Sequence, residues 1–316
     1  MKEIQIRKND AGQRLDRFVG KAVPLLPESL LQKYIRLKRI KRNGKGAKRD
    51  VRLVEGDVLQ LYINDEFFER PTEENAWLKI ATPRLDIVYE DENILLADKK
   101  PGVLCHSAGE WSWDTLISNI QAYLRQNGEW DPKAENAFTP ALCNRIDRNT
   151  GGIVIAAKNA EALRILNQKI KDRELEKRYL CIVHGTPKPA EGRLEGYLFK
   201  DAKENRVYIT QKPQPGAKTA VTLYKTLQSR NGLSLVECEL ITGRTHQIRA
   251  QMAAAGHPLL GDGKYGKLDK RYDRKFQALY SYSLRFCFTT DGGILSYLDG
   301  RSFRVEDVDF VHEYFP

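Results

Sequence analysis

Asn144-Arg145-Ile146-Asp147-Arg148-Asn149-Thr150-Gly151-Gly152 runs without a break into Ile153-Val154-Ile155-Ala156-Ala157. The junction reads as a glycine-ended loop that delivers a carboxylate to the start of an apolar strand. Arg145 and Arg148 bracket Asp147, and neighbouring cations favour the ionised form of an acid. Such a loop suits a carboxylate held charged at a site; taken alone, it also suits a surface turn with ion pairs. Strand signals dominate on either side. Residues 85–89 and 94–97 flank an Asp-Glu-Asn turn, and 179–183, 220–227 and 233–241 follow downstream. One helix is expected after Asn159, with Leu163, Leu166 and Ile170 on one side. Another follows Thr245 and stops before Gly256, with Pro258 just beyond. Strands in hairpins with few crossover helices predict an α+β domain over residues 84–316, built on a large, mostly antiparallel mixed sheet with flanking helices.

Two further segments look unlike ordinary core or turn sequence. Glu176-Lys177-Arg178-Tyr179 leads into Leu180-Cys181-Ile182-Val183. A tyrosine at a strand start suits half-buried packing, and beside a basic pair its ring also suits stacking on a nucleobase. The other segment is Thr242-Gly243-Arg244-Thr245-His246-Gln247-Ile248-Arg249, continued by AQMAAAGHPLLGDGKYG. Helical spacing turns Ile248, Met252 and Ala255 to the core and groups His246, Arg249 and Ala253 on another side. Arg249 is then able to reach a carboxylate as a bidentate partner.

The N-terminal fifth has a different character. Leu15, Phe18, Val19 and Ala22 form one helical stripe, and Leu30, Leu31, Tyr34 and Ile35 a second, with Pro24 and Pro27 between them. Asn43-Gly44 is a hairpin signal, and Val51, Leu53 and residues 58–63 read as short strands around Glu55-Gly56-Asp57. Residues 1–63 hold sixteen Lys/Arg against seven Asp/Glu, a net +9 of the chain's +10. Ten of the twenty residues from Lys33 to Arg52 are basic, including Lys33, Arg36, Lys38, Arg39, Lys41 and Arg42. That asymmetry points to a polyanion, with salt-sensitive contacts that position without reading sequence. Residues 64–83, polar and acidic with two prolines, are expected to link this small basic αβ domain to the larger one, packing through Phe67, Phe68 and Trp77.

Five scattered cysteines with no CxxC pair argue against a disulfide framework or a thiolate zinc site, and the five histidines show no HxxxH or HExxH spacing. No metal is implied. No apolar run is long enough to span a bilayer, and MKEIQIRKND has no signal-peptide core, so a cytoplasmic location is expected.

Residues 12–62, through RLDRFV, QKYIRLKRIKRNGK and VEGDVLQLYI, resemble the alpha-L RNA-binding domain found in a small-subunit ribosomal protein and in RNA-modifying enzymes. The three chemical segments, in order and with Lys100-Pro101-Gly102 upstream, resemble the RluA-type pseudouridine synthases over residues 84–298; the TGRTHQIR…GHPLLGD…YG block is the most specific part. The resemblance implies that Asp147 is the essential aspartate, Tyr179 the active-site tyrosine and Arg249 the aspartate's partner. It also implies that Arg145 helps displace the target base, with Arg148, Arg244 and His246 as further RNA contacts. The expected enzyme is an isomerase that needs no cofactor, works on RNA as a monomer, and most naturally takes large-subunit ribosomal RNA. Transfer RNA is the alternative substrate, and a non-catalytic RNA-binding or ribosome-assembly protein the alternative role. Three positions depart from the family pattern: Asn144 stands where histidine is usual, Gly151 where serine is usual, and a histidine expected near Tyr280 is missing. The nucleophile is untouched by these changes, and they bear on substrate choice.

Overall fold

The computed structural model describes residues 1–68, 76–107, 112–201, 204 and 206–316. The chain opens with β1 (Lys2–Gln5), α1 (Leu15–Ala22), α2 (Glu28–Arg36), β2 (Ile40–Arg42), β3 (Lys45–Gly46) and β4 (Val58–Leu61). These strands form a four-stranded antiparallel sheet in the order β1-β4-β2-β3. Asn43 and Gly44 both take positive φ, 50° and 78°, as a two-residue turn between twisted strands requires. Leu15, Phe18 and Val19 of α1 and Leu31, Tyr34 and Ile35 of α2 are buried against Ile6, Ile40, Leu59 and Leu61. Each fully buried side chain of this size contributes roughly 1.5–3 kcal/mol. Val51 and Leu53 do not form the expected strand. Their backbone bonds go instead to the segment before α1, Leu15 N–H to Val51 C=O and Leu53 N–H to Gln13 C=O.

Residues 64–68 and 76–83 of the expected linker are described, and 69–75 lie outside the described residues. Phe67 and Phe68 pack on the N-terminal core. Trp77 packs edge-on against Trp130 with ring centroids 5.4 Å apart.

The larger unit comprises β5 (Ile87–Glu90), β6 (Ile94–Lys99), α3 (Leu116–Gln126), β7 (Ala141–Leu142), β8 (Gly151–Ala157), α4 (Ala160–Lys171), β9 (Leu175–His184), β10 (Glu191–Asp201), β11 (Arg206–Thr210), β12 (Lys218–Arg230), β13 (Leu233–Leu240), α5 (Gln247–Ala254), β14 (Leu279–Phe286), β15 (Ser302–Arg304) and α6 (Asp309–Tyr314). Its eleven-stranded sheet runs β11-β10-β12-β13-β9-β14-β8-β6-β5, with β15 on β14 and β7 on β8. Among the described residues the pairings are antiparallel except β14 with β8. The α+β architecture with a mostly antiparallel mixed sheet is therefore the observed one.

Alternation along β6 and β8 explains the layers. Leu95, Ala97, Val154 and Ala156 meet Leu116, Ile120 and Leu124 of α3. Ile94, Leu96, Ile153 and Ile155 meet Ala162 and Leu166 of α4 on the opposite face. Asn159 caps α4 by accepting from Ala162 N–H, and Thr115 caps α3 by accepting from Ser118 N–H. The helix α3, absent from the sequence reading, carries a Leu116-Ile120-Leu124 stripe behind that cap. On α5, Ile248 and Met252 are buried as expected, but Ala255 is exposed at the C-cap. Gln247, Arg249, Ala250 and Gln251 are buried too, because α5 is enclosed on several sides and has no solvent stripe. No helix among the described residues is long and apolar enough to cross a membrane.

Candidate active site

The loop from Cys143 to Thr150 is pinned at both ends. Cys143 N–H donates to Ile155 C=O, and Ile155 N–H donates to Asn144 Oδ1, each at 2.8 Å. At the far end, the ammonium of Lys99, 1% exposed, donates to the carbonyls of Lys100, Val103 and Arg148 at 3.0, 2.9 and 2.9 Å. Burial pulls Lys99 down to about 8, against the raising charges of Cys105, Asp147 and Asp98. Gln277 donates to Thr150 Oγ1 at 3.2 Å. Lys99 and Gln277 were not singled out in the sequence.

Between those pins, Asp147 Oδ2 accepts from Arg249 Nη1 at 3.1 Å. The bidentate partner of Arg249 is a different acid: Nε and Nη2 donate to Asp262 Oδ2 and Oδ1 at 2.7 and 2.9 Å. Burial pushes Asp262 up, but the bonds and charge of Arg249, with the N–H groups of Lys264 and Tyr265, hold it below the usual carboxylate value. Burial likewise opposes the charge on Arg249, and Asp262 and Asp147 more than restore it. Asp262 thus fixes the guanidinium on two sides and leaves one N–H edge for Asp147.

His246 sits just ahead of α5 in the left-handed region, φ 54°. Its Nε2 lies 3.7 Å from Asp147 Oδ2 and its Nδ1 2.9 Å from Tyr265 Oη. Tyr265 Oη accepts from Val207 N–H at 3.0 Å. Its own proton is free for Nδ1, an arrangement that leaves the ring proton on Nε2, facing Asp147. Burial lowers the proton affinity of His246, as do Arg249 and Lys264, against Asp147 and Asp262.

Tyr179 is 7% exposed on the same cleft wall. Burial, with the charge of Asp147, pushes its phenol up to about 12 despite a hydrogen bond with Ser281. A phenol this weakly acidic is poorly matched to general-base work near neutral pH, whereas ring stacking needs no ionisation.

Asp147 and Tyr179 face a cleft of about 1000 Å³ that Arg145, Arg244 and His246 also line. A smaller recess of about 380 Å³ reaches Asp147 from the side of Arg148, Lys264 and Lys275. Arg145 is exposed. Arg148 and Arg244 are exposed as well, each with Nε on a carbonyl, of Gly102 at 3.0 Å and of Thr219 at 3.1 Å. In the N-terminal unit Lys33, Arg36, Lys38 and Arg39 are exposed and Lys41 half-buried. Arg42 is diverted: it ion-pairs with buried Asp57 at 2.6 Å, within a turn that Asn43 and Val54 also bind. Among the described residues no cluster of three or more His, Cys, Asp or Glu is arranged to hold a metal.

Gly151 and Tyr280 meet beneath this loop. A Cβ on Gly151 would lie 2.3 Å from Cε2 of Tyr280, whose hydroxyl donates to Asp98 Oδ1 at 2.5 Å. The Tyr280 ring fills the space a Gly151 side chain would need, so the glycine and the tyrosine fit one another.

A model of the RNA pseudouridylate synthase family matches residues 93–254. An uncharacterized RNA pseudouridine synthase of Mycoplasma genitalium is 33% identical over 89% of this chain and 88% of its own. A ribosomal large subunit pseudouridine synthase D of Neisseria meningitidis is 30% identical over 91% of this chain and 75% of its own. A ribosomal large subunit pseudouridine synthase C of Escherichia coli is 29% identical over 87% and 82%. The solved human RNA Pseudouridylate Synthase Domain Containing 4 aligns with a TM-score of 0.56 at 20% identity, covering 76% of this chain and 96% of that one, a likeness of fold.

Proposed function

We propose, for a chain that belongs to the RNA pseudouridylate synthase family and is an RNA pseudouridine synthase, that Asp147 is the carboxylate acting on the flipped uridine and that the substrate is large-subunit ribosomal RNA. The observation that carries the first part is Asp147 Oδ2 held 3.1 Å from Arg249 Nη1 in the wall of the cleft. The relatives named as ribosomal large subunit synthases and the basic N-terminal residues support the second.

The reaction breaks the bond between ribose C1′ and uracil N1, turns the ring, joins C1′ to C5, and moves the C5 proton to N1 or solvent. Atoms and electrons balance without a co-reactant. Positive charge grows on the ribose as the first bond breaks, and an ionised carboxylate stabilises or traps it. Asp147 attacking the sugar, attacking the base, or taking a sugar proton all use the same aimed oxygen. Arg249, fixed by Asp262, aims that oxygen, and His246 faces it with a neutral N–H. The Tyr179 ring stacks on the extruded uracil; the C5 proton goes to another base. Extruding the base costs a few kcal/mol, which Arg145 at the mouth and Arg148 and Arg244 on flanking phosphates offset. Residues 1–63 act as the basic RNA-binding unit, 64–83 as the link and 84–316 as the catalytic unit, in a cytoplasmic monomer.

Replacing Asp147 with Asn lowers product by roughly 10³-fold or more, by analogy with other essential carboxylates, and leaves RNA affinity within a few-fold. Primer-extension mapping of treated ribosomal and transfer RNA reads both parts. Full activity in the variant overturns the role of Asp147, and product confined to transfer RNA overturns the substrate.

A further inference from the structure

The run from Lys169 to Arg178 contains five bases and three acids, and the fold sorts them. All three acids are engaged: Asp172 accepts from Gln168 at 2.6 Å, Glu174 pairs with buried Lys169 at 2.7 Å, and Glu176 pairs with Arg178 at 2.5 Å. Arg178 also reaches Glu237 and Glu239. The side chains of Lys171, Arg173 and Lys177 make no hydrogen bond or ion pair among the described residues, and all three line the cleft that holds Asp147. Lys171 ends α4 and Arg173 lies in the turn between α4 and β9, both exposed. Lys177 is half-buried two residues before Tyr179, so both side chains project from the same face of β9. The same cleft is also lined by Ile170, Leu175 and Cys287, and burial alone lowers the proton affinity of Lys177. An unpaired cation in such a wall is disfavoured until an anion completes it.

We propose that this arm of the cleft, floored by Lys177 and edged by Lys171 and Arg173, is a phosphodiester subsite for the backbone on one side of the flipped uridine. Uracil is neutral and offers three cations little; a phosphate offers two acceptor oxygens, and a lysine ammonium is a flexible point charge suited to it. The subsite sets which way the strand runs past Asp147, with Tyr179 between the phosphate and the reacting carboxylate.

The inference rests on Asp147 acting in this cleft, and the test separates the two. The full chain carrying Asp147→Asn binds the RNA hairpin around the uridine found by mapping, and affinities are compared for the native hairpin and for two forms with a single methylphosphonate linkage, 5′ or 3′ of that uridine. One of the two neutral linkages weakens binding about tenfold. Adding Lys177→Met weakens native RNA by a similar factor and abolishes the difference between native and neutral linkage. Lys177→Arg restores part of it. The exposed pair Lys171→Gln with Arg173→Gln, which leaves the core untouched, shrinks the same difference and lowers the log–log salt slope by about 0.7–0.9 per lost contact. A methylphosphonate penalty of equal size with and without Lys177, or no penalty at either linkage, overturns the subsite. Product made by the Asp147→Asn chain during the same incubations overturns the role of Asp147 instead.

Discussion

Arg249 and Arg39 carry the same guanidinium in opposite settings. Arg249 is 8% exposed and clamped by Asp262, with one edge left for Asp147. Arg39 is exposed over the Tyr34 ring, its carbon 4.8 Å from the centroid. The first setting has its geometry set before RNA arrives, at the expense of desolvating three charges. The second belongs to a group of exposed cations whose attraction is individually weak, additive and screened by salt. Chemistry needs the first kind of charge and capture the second. Arg42 shows how local the distinction is: two residues beyond Ile40, a buried Asp57 turns it from a surface cation into a structural one.

Asp262→Ala breaks this contrast most severely. It strands a buried guanidinium, with an expected loss of roughly 3–5 kcal/mol in denaturant unfolding and near-complete loss of activity. The milder Asp262→Asn tests the ionic part. The folded-state value of Asp262 is depressed, so its contribution is fully present above about pH 4, the unfolded carboxylate value, and fades as pH falls through the lower folded value. The Asn variant lacks that acid limb, and an unchanged acid limb would remove Asp262 from the network.

Gly151→Ser drives a side chain into the Tyr280 ring, with an expected loss of roughly 1–3 kcal/mol. Combining it with Tyr280→His, which puts a smaller ring beside position 151, recovers part of that stability. If the single variant melts like the parent, the two positions are uncoupled.

Lys99 predicts an alkaline limb. As pH passes about 8 its ammonium is lost, and with it the donors that hold the Arg148 carbonyl beside Asp147. Activity declines several-fold between pH 8 and 9.5. Stability moves the other way, because a lysine depressed in the fold penalises folding below about 8, and that penalty is relieved as pH rises toward the unfolded value near 10.4. A flat rate profile to pH 9.5 removes the need for the charge.

Mildest of all are changes on the N-terminal surface. Replacing Lys33, Arg36, Lys38 and Arg39 with Gln leaves single-turnover rates at saturating RNA unchanged, and each lost phosphate contact lowers the salt slope of binding by about 0.7–0.9. A slope equal to the parent's would take the anchor away from this surface.

Much of the molecule was legible in order. The stripes of α1 and α2, the Asn43-Gly44 turn, the Asn159 cap and the apolar run of β8 are local signals, carried by spacing or by one residue's φ preference. The edge strand β1 carries little apolar signal, since Lys2–Gln5 offers a single apolar residue, Ile4; β14 is central and buried, and its serines and tyrosines hide that in the sequence. Asp147, Tyr179 and Arg249 were read from motif, and the structure brings the three into one cleft across more than a hundred residues of chain.

What the sequence determined by itself was composition of charge, helix and turn punctuation, and the motif that names the family, since each depends on residues within a few positions of one another. Which acid clamps Arg249, which lysine bolts the Asp147 loop, and which cations stay unpaired at the surface were decided only by tertiary structure. Asp262, Lys99 and Asp57 do these jobs through contacts whose strength depends on burial and on angles within a few ångströms, and neither quantity exists until the sheet has closed.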